Sequence, residues 1–270
     1  MYKIRQFIIN TINGKGIIQN SKGITIVDNK ELLEFFTKID QEGILYVTDE
    51  IFEKEFSGEH VEVIDFLLQS DLIYRLPDPN FSIKQINVYT NNDDFKELIS
   101  FINSDEVVLI EEEEYENLKQ DSCLFIFLNR FIPSDLYKIC DTIRNRQVKF
   151  CISFVYNSKI YISNLYQKDW YNPCPKCFFA NIESSLRAYS QYEEGYSFQT
   201  IVDIIYSKEP RFELNAPISK VLLVTLLSEV FKMRLNDYNV LSTRVKEIDF
   251  NGNIKYDIAT NFELCDCFEI

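Results

Sequence analysis

The sequence predicts an α/β protein in two parts. A winged-helix domain of three strands and three helices covers residues 1–78, and a larger α/β domain with a structural zinc site covers residues 81–270. Three observations predict it. Asn13-Gly14, a strong hairpin-turn pair, sits inside an apolar stretch that three helical segments follow. Beyond a proline-rich break, continuous apolar strands alternate with helices, the pattern of a sheet covered on both faces. Four of the seven cysteines form two tight pairs, Cys174-Pro175-Lys176-Cys177 and Cys265-Asp266-Cys267.

Residues 1–27 read as a three-stranded meander. Ile4–Asn10 forms the first strand, Gly16–Asn20 the second, and a turn through Asn20–Gly23 leads into Ile24–Val27. Asp28 or Asn29 caps a helix whose apolar face carries Leu32, Leu33, Phe35 and Phe36. Thr48 caps a second helix with Ile51, Phe52 and Phe56, closed by Gly58. A third runs from about Glu59 to Ser70, and Leu72–Leu76 is a short wing strand. Pro77-Asp78-Pro79-Asn80 is a linker, since two prolines favour an extended crossing.

In the second part Ile83–Tyr89, Glu106–Ile110 and Cys123–Leu128 read as strands, with helices at Asp93–Ile102 and Pro133–Asn145. Val148–Tyr156 and Lys159–Tyr166 form a hairpin through Asn157-Ser158. Helices near 178–194, 197–206 and 217–235 follow, and a last hairpin turns at Asn251-Gly252. The run Glu111–Glu114 reads as a solvated loop or helix start.

Composition excludes several functions. At 46% hydrophobic residues a full core is easily buried, and no apolar run approaches the ~20 residues of a membrane span. With no signal-peptide pattern in the opening residues, a soluble cytoplasmic protein without a membrane partner is expected. The net charge of −14 repels phosphate backbones, which argues against nucleic acid as a partner. His60 is the single histidine, so His-based catalysis is unavailable. No glycine lies between Gly58 and Gly195, so a glycine-rich phosphate loop is absent from that stretch.

Two short cysteine hairpins far apart in sequence close one tetrahedral thiolate site around zinc, with Cys174, Cys177, Cys265 and Cys267 as ligands and one ion per chain. Four protein ligands leave no position for water, so such a zinc holds structure and performs no hydrolysis. The competing reading of Cys174-Pro175-Lys176-Cys177 is a thioredoxin-type redox pair, but that motif belongs near the start of its unit. Cys123, Cys140 and Cys151 read as core.

The α/β stretch ending in the Val148–Asn164 hairpin, the CPKC motif, a helix and a distant cysteine pair together resemble the ubiquitin-activating-enzyme-like family of ThiF and MoeB type. The resemblance covers about residues 81–270. Two departures stand out: the glycine-rich ATP loop is missing, and the second pair is CxC in place of CxxC. The first implies lost adenylation and no ATP bound by this chain. A degenerate ThiF-like domain behind a small strand–helix domain resembles the partner proteins of YcaO-type cyclodehydratases in microcin-type and micrococcin-type (thiopeptide) thiazole/oxazole peptide synthetases.

That resemblance implies a non-catalytic scaffold whose N-terminal domain is a precursor-peptide recognition element. It would bind the leader of a ribosomal precursor peptide and present the core to a YcaO-type cyclodehydratase for azoline formation in bacteriocin biosynthesis. A flavin-dependent azoline dehydrogenase is a further expected partner, and homodimerisation is expected by analogy. The leader would add as a strand at Ile24, Thr25, Ile26 and Val27, with Val63, Phe66, Leu67 and Ser70 of the third helix as the far wall. The bland reading of each of these residues is core. Leaders of this class are often acidic and so is this domain, so binding would rest on backbone pairing and apolar anchors.

Two other functions compete. A ThiF-like adenylating enzyme with a remodelled ATP site would need a phosphate cradle from Arg144, Arg146 and Lys149, with Arg130 assisting. A winged-helix, zinc-containing regulator would place Asp49, Glu50, Glu53, Glu55, Glu59, Glu62 and Asp65 against DNA with only Lys54 to offset them.

Overall fold

The computed structural model describes residues 1–20, 23–76, 83–115, 117–118, 122–144, 146–170, 172–189, 196–235, 243–262, 265 and 267. The chain divides into two units, Met1–Asp78 and Pro79–Ile270. The expected linker at 77–80 lies outside the described residues.

The first unit contains β1 (Tyr2–Ile4), β2 (Ile8–Ile12), β3 (Lys15–Asn20), β4 (Gly23–Val27), α1 (Lys30–Glu42), β5 (Tyr46–Val47), α2 (Asp49–Glu55), α3 (His60–Gln69) and β6 (Ile73–Arg75). Here the structure corrects the expected strand count. The stretch expected to be one strand, Ile4–Asn10, belongs to two sheets: β1 is the centre of a sheet ordered β5-β1-β6, and β2 opens the meander β2-β3-β4. Arg5 marks the break. Its amide makes the last in-register hydrogen bond on the β6 side, donating to the Leu72 carbonyl at 3.0 Å, and its guanidinium pairs with Asp71 at 2.9 Å, before the chain enters the second sheet at Ile8. The Leu72–Leu76 segment is likewise no free wing, because β6 pairs with β1 and both Leu72 and Ile73 are buried. β5 is too short to carry a periodicity the sequence could reveal.

Local chemistry explains the rest of the unit. Asn13 and Gly14 take φ values of 52° and 79°, the left-handed pair that a two-residue hairpin turn needs. Asn29 caps α1 by accepting from the Leu32 amide, Thr48 caps α2 by accepting from Ile51, and Gly43 ends α1 at φ 64°. Phe35, Phe36, Phe52 and Phe56 pack edge-on or stacked in the middle of one core with Tyr2, Ile18, Val27, Ile64 and Leu67.

The second unit comprises β7 (Ile86–Thr90), α4 (Asp93–Ile102), β8 (Val107–Leu109), α5 (Glu112–Tyr115), β9 (Cys123–Leu128), α6 (Pro133–Arg144), β10 (Lys149–Tyr156), β11 (Lys159–Ile162), α7 (Pro175–Tyr189), α8 (Phe198–Lys208), α9 (Lys220–Lys232), β12 (Arg244–Asp249) and β13 (Ile254–Ile258). They form a mixed α/β layer structure around one sheet ordered β13-β12-β11-β10-β9-β7-β8. β8, β7, β9 and β10 run parallel; β11, β12 and β13 continue antiparallel. Every residue of β9 and β10 is buried, as a strand covered on both faces requires. One core joins α6, α7 and the sheet through Leu136, Ile143, Phe178 and Ile182; the other joins α4 and α9 through Phe95, Ile99, Leu223 and Leu226. Asn157 and Ser158, at φ 45° and 57°, turn β10 into β11. α7 starts at Pro175, earlier than expected, and the far end expected for it, 190–194, lies outside the described residues. No helix among the described residues is long and apolar enough to cross a membrane.

Candidate functional site

The cysteine cluster is assembled by two devices. Cys174 immediately precedes α7 and Pro175 takes its first position, where a missing N–H costs nothing. Cys177 then falls in the first turn, close to the partial positive charge of the helix end that favours thiolate. The C-terminal segment is steered back to α7 by Asn181, whose Oδ1 accepts from the Thr260 amide at 2.9 Å, and within that segment the Cys265 amide donates to the Phe262 carbonyl at 2.9 Å.

The four sulfurs lie within 4.8 Å of one another. Cys174 and Cys177 are 3.8 Å apart, Cys174 and Cys265 3.5 Å, and Cys177 and Cys267 3.4 Å. These spacings are far above the ~2.05 Å of a disulfide. They match the sulfur–sulfur edge of about 3.8 Å that a tetrahedron with 2.3 Å metal–sulfur bonds requires. Cys174 and Cys177 are fully buried, and Cys265 and Cys267 half-buried. Hydrogen bonds from Cys174, Cys265 and Cys267 pull the Cys177 thiol far below its ordinary range, while donation to Cys177 pushes Cys174 up. In donor set and spacing the cluster fits a tetrahedral metal ion. Cys123, Cys140 and Cys151 lie apart from it as buried core thiols, with Cys123 and Cys140 pushed well above their ordinary range by desolvation.

The parallel strands also locate the position where a doubly wound sheet binds nucleotides, the crevice at the carboxyl ends of the strands where strand order reverses. Here that point lies between β7 and β9. Polar contacts bridge the two turns there. Asn91 Nδ2 donates to the Arg130 carbonyl at 2.7 Å, Arg130 Nη2 donates to the Asn91 carbonyl at 2.8 Å, and Asn91 Oδ1 accepts from the Asn129 amide at 2.9 Å. Asn129 Nδ2 donates to the Ala216 carbonyl at 3.0 Å, and Phe131 and Leu214 exchange both backbone hydrogen bonds. The turn after β7 opens α4 with its own Asn92 cap and with Asp93 and Asp94 in the first turn. Two carboxylates occupy the place where a phosphate would seek positive charge. The run Asn91-Asn92-Asp93-Asp94 after a strand is the sign of this clamp in the sequence, and it is not among the candidate site residues expected above.

The expected phosphate cradle is not brought together. Arg130 follows the carboxyl end of β9, whereas Arg144, Arg146 and Lys149 cluster where β10 begins, opposite Cys123 at the start of β9. A six-residue strand separates the two ends by about 20 Å.

In the first unit, β4 is an edge strand of its meander. Asn20, at the end of β3, donates from Nδ2 to the Ser70 carbonyl at 3.3 Å and the Asp71 carbonyl at 3.0 Å, which ties this strand pair to the end of α3. Ile24 and Ile26 are exposed, Thr25 half-buried and Val27 buried. On α3, Phe66 is exposed, Val63 and Ser70 half-buried, and Leu67 completely buried. Val27 and Leu67 thus face the core.

The fold and its site define an α/β protein with a four-cysteine cluster suited to a metal ion and a switch point bridged by Asn91 and Arg130. No curated protein sequence matches it. The family model described as microcin B17-processing protein McbB matches residues 2–269, and the chain belongs to that family. Among solved structures, it is similar to a chain of the E. coli microcin synthetase McbBCD complex, at 14% identity and TM-score 0.71, covering 98% of this chain and 99% of that one. It is also similar to a chain of the E. coli microcin synthetase McbBCD complex with pro-MccB17 bound, at 13% identity and TM-score 0.51, covering both chains completely.

Proposed function

We propose that this chain is the non-catalytic scaffold subunit of a microcin-type synthetase, binding the leader of a ribosomal precursor peptide and presenting its core to a YcaO-type cyclodehydratase. Family membership over residues 2–269 supports the assignment to peptide biosynthesis. The observation that carries peptide binding is the open edge of β4, held beside α3 by Asn20. In this reading the first unit is a winged-helix recognition element whose wing is the β2-β3-β4 meander. The leader pairs its backbone with Ile24–Val27, and Val63 and Phe66 supply side-chain contacts. Leu67 and Val27 support the groove from within the core, and Ser70 closes one end.

The second unit is then a degenerate ThiF-like domain. Cys174, Cys177, Cys265 and Cys267 hold a structural zinc, which ties the C-terminal tail to α7 and leaves no coordination position for chemistry. The Asn91–Arg130 clamp and the Asp93/Asp94 turn support the absence of ATP binding, so the energy for cyclisation is consumed by the partner enzyme. An azoline dehydrogenase and a second copy of the chain complete the proposed assembly.

The test is titration of the full chain with the precursor peptide encoded near it, wild type against Phe66→Ala. Binding that Phe66→Ala weakens about tenfold supports the groove. Full-strength binding by the variant, or none by the wild type, contradicts it.

A further inference from the structure

The outer face of the meander is mostly isoleucine, interrupted by Asn10, Lys15 and Gln19, where an exposed sheet is ordinarily polar. Ile24 and Ile26 are 66% and 60% exposed, and they alone supply that face of β4. Register sets Ile24 opposite Gln19 and Ile26 opposite Ile17, with Ile8 continuing the first row on β2. The alternate residues Gly16, Ile18 and Val27 point the other way, against Leu33 of α1 and into the core. Asn20 shares their parity and reaches the end of α3, so α3 lies on this inner side. Natural edges are guarded by charge; this one carries isoleucine.

A strand added along β4 obeys the same alternation. Its residues opposite Ile24 and Ile26 project onto the outer isoleucine face, and the residues between them project to the inner side, the side of α3. We infer that the segment this edge reads is apolar at consecutive positions, a run of about four or five aliphatic or aromatic residues matching the length of β4, in place of a strand that alternates apolar with charged. The inference rests on the leader-docking reading above and specifies which peptides satisfy it. A second copy of the chain is the poorer occupant, because residues 1–78 carry fourteen acidic against eight basic side chains and two such units repel.

The probe is a displayed library of random linear peptides selected on the full-length protein. A synthetic enriched peptide is then titrated against the wild type, Phe66→Ala and the double variant Ile24→Thr/Ile26→Thr, which keeps β-branched residues in the strand. Amide hydrogen exchange of β4 is followed with and without peptide. The expected result is enrichment of contiguous apolar runs, protection of the β4 amides, and a five- to tenfold loss of affinity in the isoleucine double variant. Peptides that protect β4 and need Phe66, but alternate in polarity and ignore the double variant, overturn this inference and leave the docking reading standing. No enrichment, or bound peptides that leave β4 unprotected, overturns both. A dimer that the double variant dissociates assigns the face to a second copy and overturns the inference.

Discussion

The Sγ atoms of Cys177 and Cys267 lie 3.4 Å apart across 90 positions of sequence. One partner sits in the first turn of α7 and the other near the C-terminus, so a metal ion held by the cluster would fasten the tail to the helix. Purified reduced protein is expected to carry one zinc per chain. Structural zinc sites contribute about 10–16 kcal/mol of apparent binding free energy, so chelation should unfold much of the second unit. Metal analysis with a thermal melt checks this, and a Cys174→Ser variant with full metal and unchanged stability would count against it.

Glu229 of α9 is almost completely buried and receives hydrogen bonds from Lys232, at 2.6 Å, and from Lys246 of β12. Burial raises its pKa, but the two lysine contacts outweigh burial and hold it below the ordinary carboxylate range. A depressed carboxylate contributes stability above its unfolded pKa that is lost as pH falls through the folded value. Stability should therefore decline below about pH 4.5, and Glu229→Gln, which removes the buried charge that both lysines contact, should cost about 3 kcal/mol at neutral pH. Denaturant melts of wild type and variant across pH report both effects; a variant as stable as wild type at pH 7 contradicts them.

Asn20→Ala removes two hydrogen bonds to the carbonyls that end α3. Each is worth about 1 kcal/mol, and Asn20 Oδ1 also accepts from the Gly23 amide at 3.1 Å, so the first unit should lose about 2–3 kcal/mol. Peptide affinity should fall too, because the strand pair loses its tie to the helix wall. Urea unfolding and peptide titration of the same variant measure the two consequences separately.

Millimolar ATP should show no binding in calorimetry. Replacing Asp93 and Asp94 with asparagine should not restore it, since the Asn91–Arg130 hydrogen bonds still bridge the switch point. Micromolar ATP binding by the wild-type chain would revive an adenylating enzyme.

Leader affinity should change less than about threefold between low and high salt, because backbone pairing and apolar anchors are barely screened. A steep loss with added salt would point to a charged interface elsewhere.

The sequence was most legible where one local rule dominated. Asn13-Gly14 and Asn157-Ser158 turned hairpins, Asn29 and Thr48 capped helices, and the unbroken apolar runs of β9 and β10 marked buried strands. The cysteine pairs were legible because short spacings constrain ligand geometry whatever surrounds them. Long-range partnership was not legible. Tyr2–Ile4 is too short to reveal that its partners are Tyr46–Val47 and Ile73–Arg75, and nothing near Asn20 announces the carbonyls of Ser70 and Asp71. The α3 face was ambiguous by one register: Phe66 is exposed and Leu67 buried, a difference that helical period alone does not resolve.

The most direct test of the scaffold role is reconstitution of the full chain with the cyclodehydratase and precursor peptide from its gene neighbourhood, with ring formation followed by mass spectrometry as loss of one water per azoline. The scaffold account predicts cyclisation with the wild-type chain, sharply reduced cyclisation with Phe66→Ala, and unchanged cyclisation with Asp93→Asn/Asp94→Asn. Full cyclisation without this chain, or cyclisation indifferent to Phe66, would contradict it.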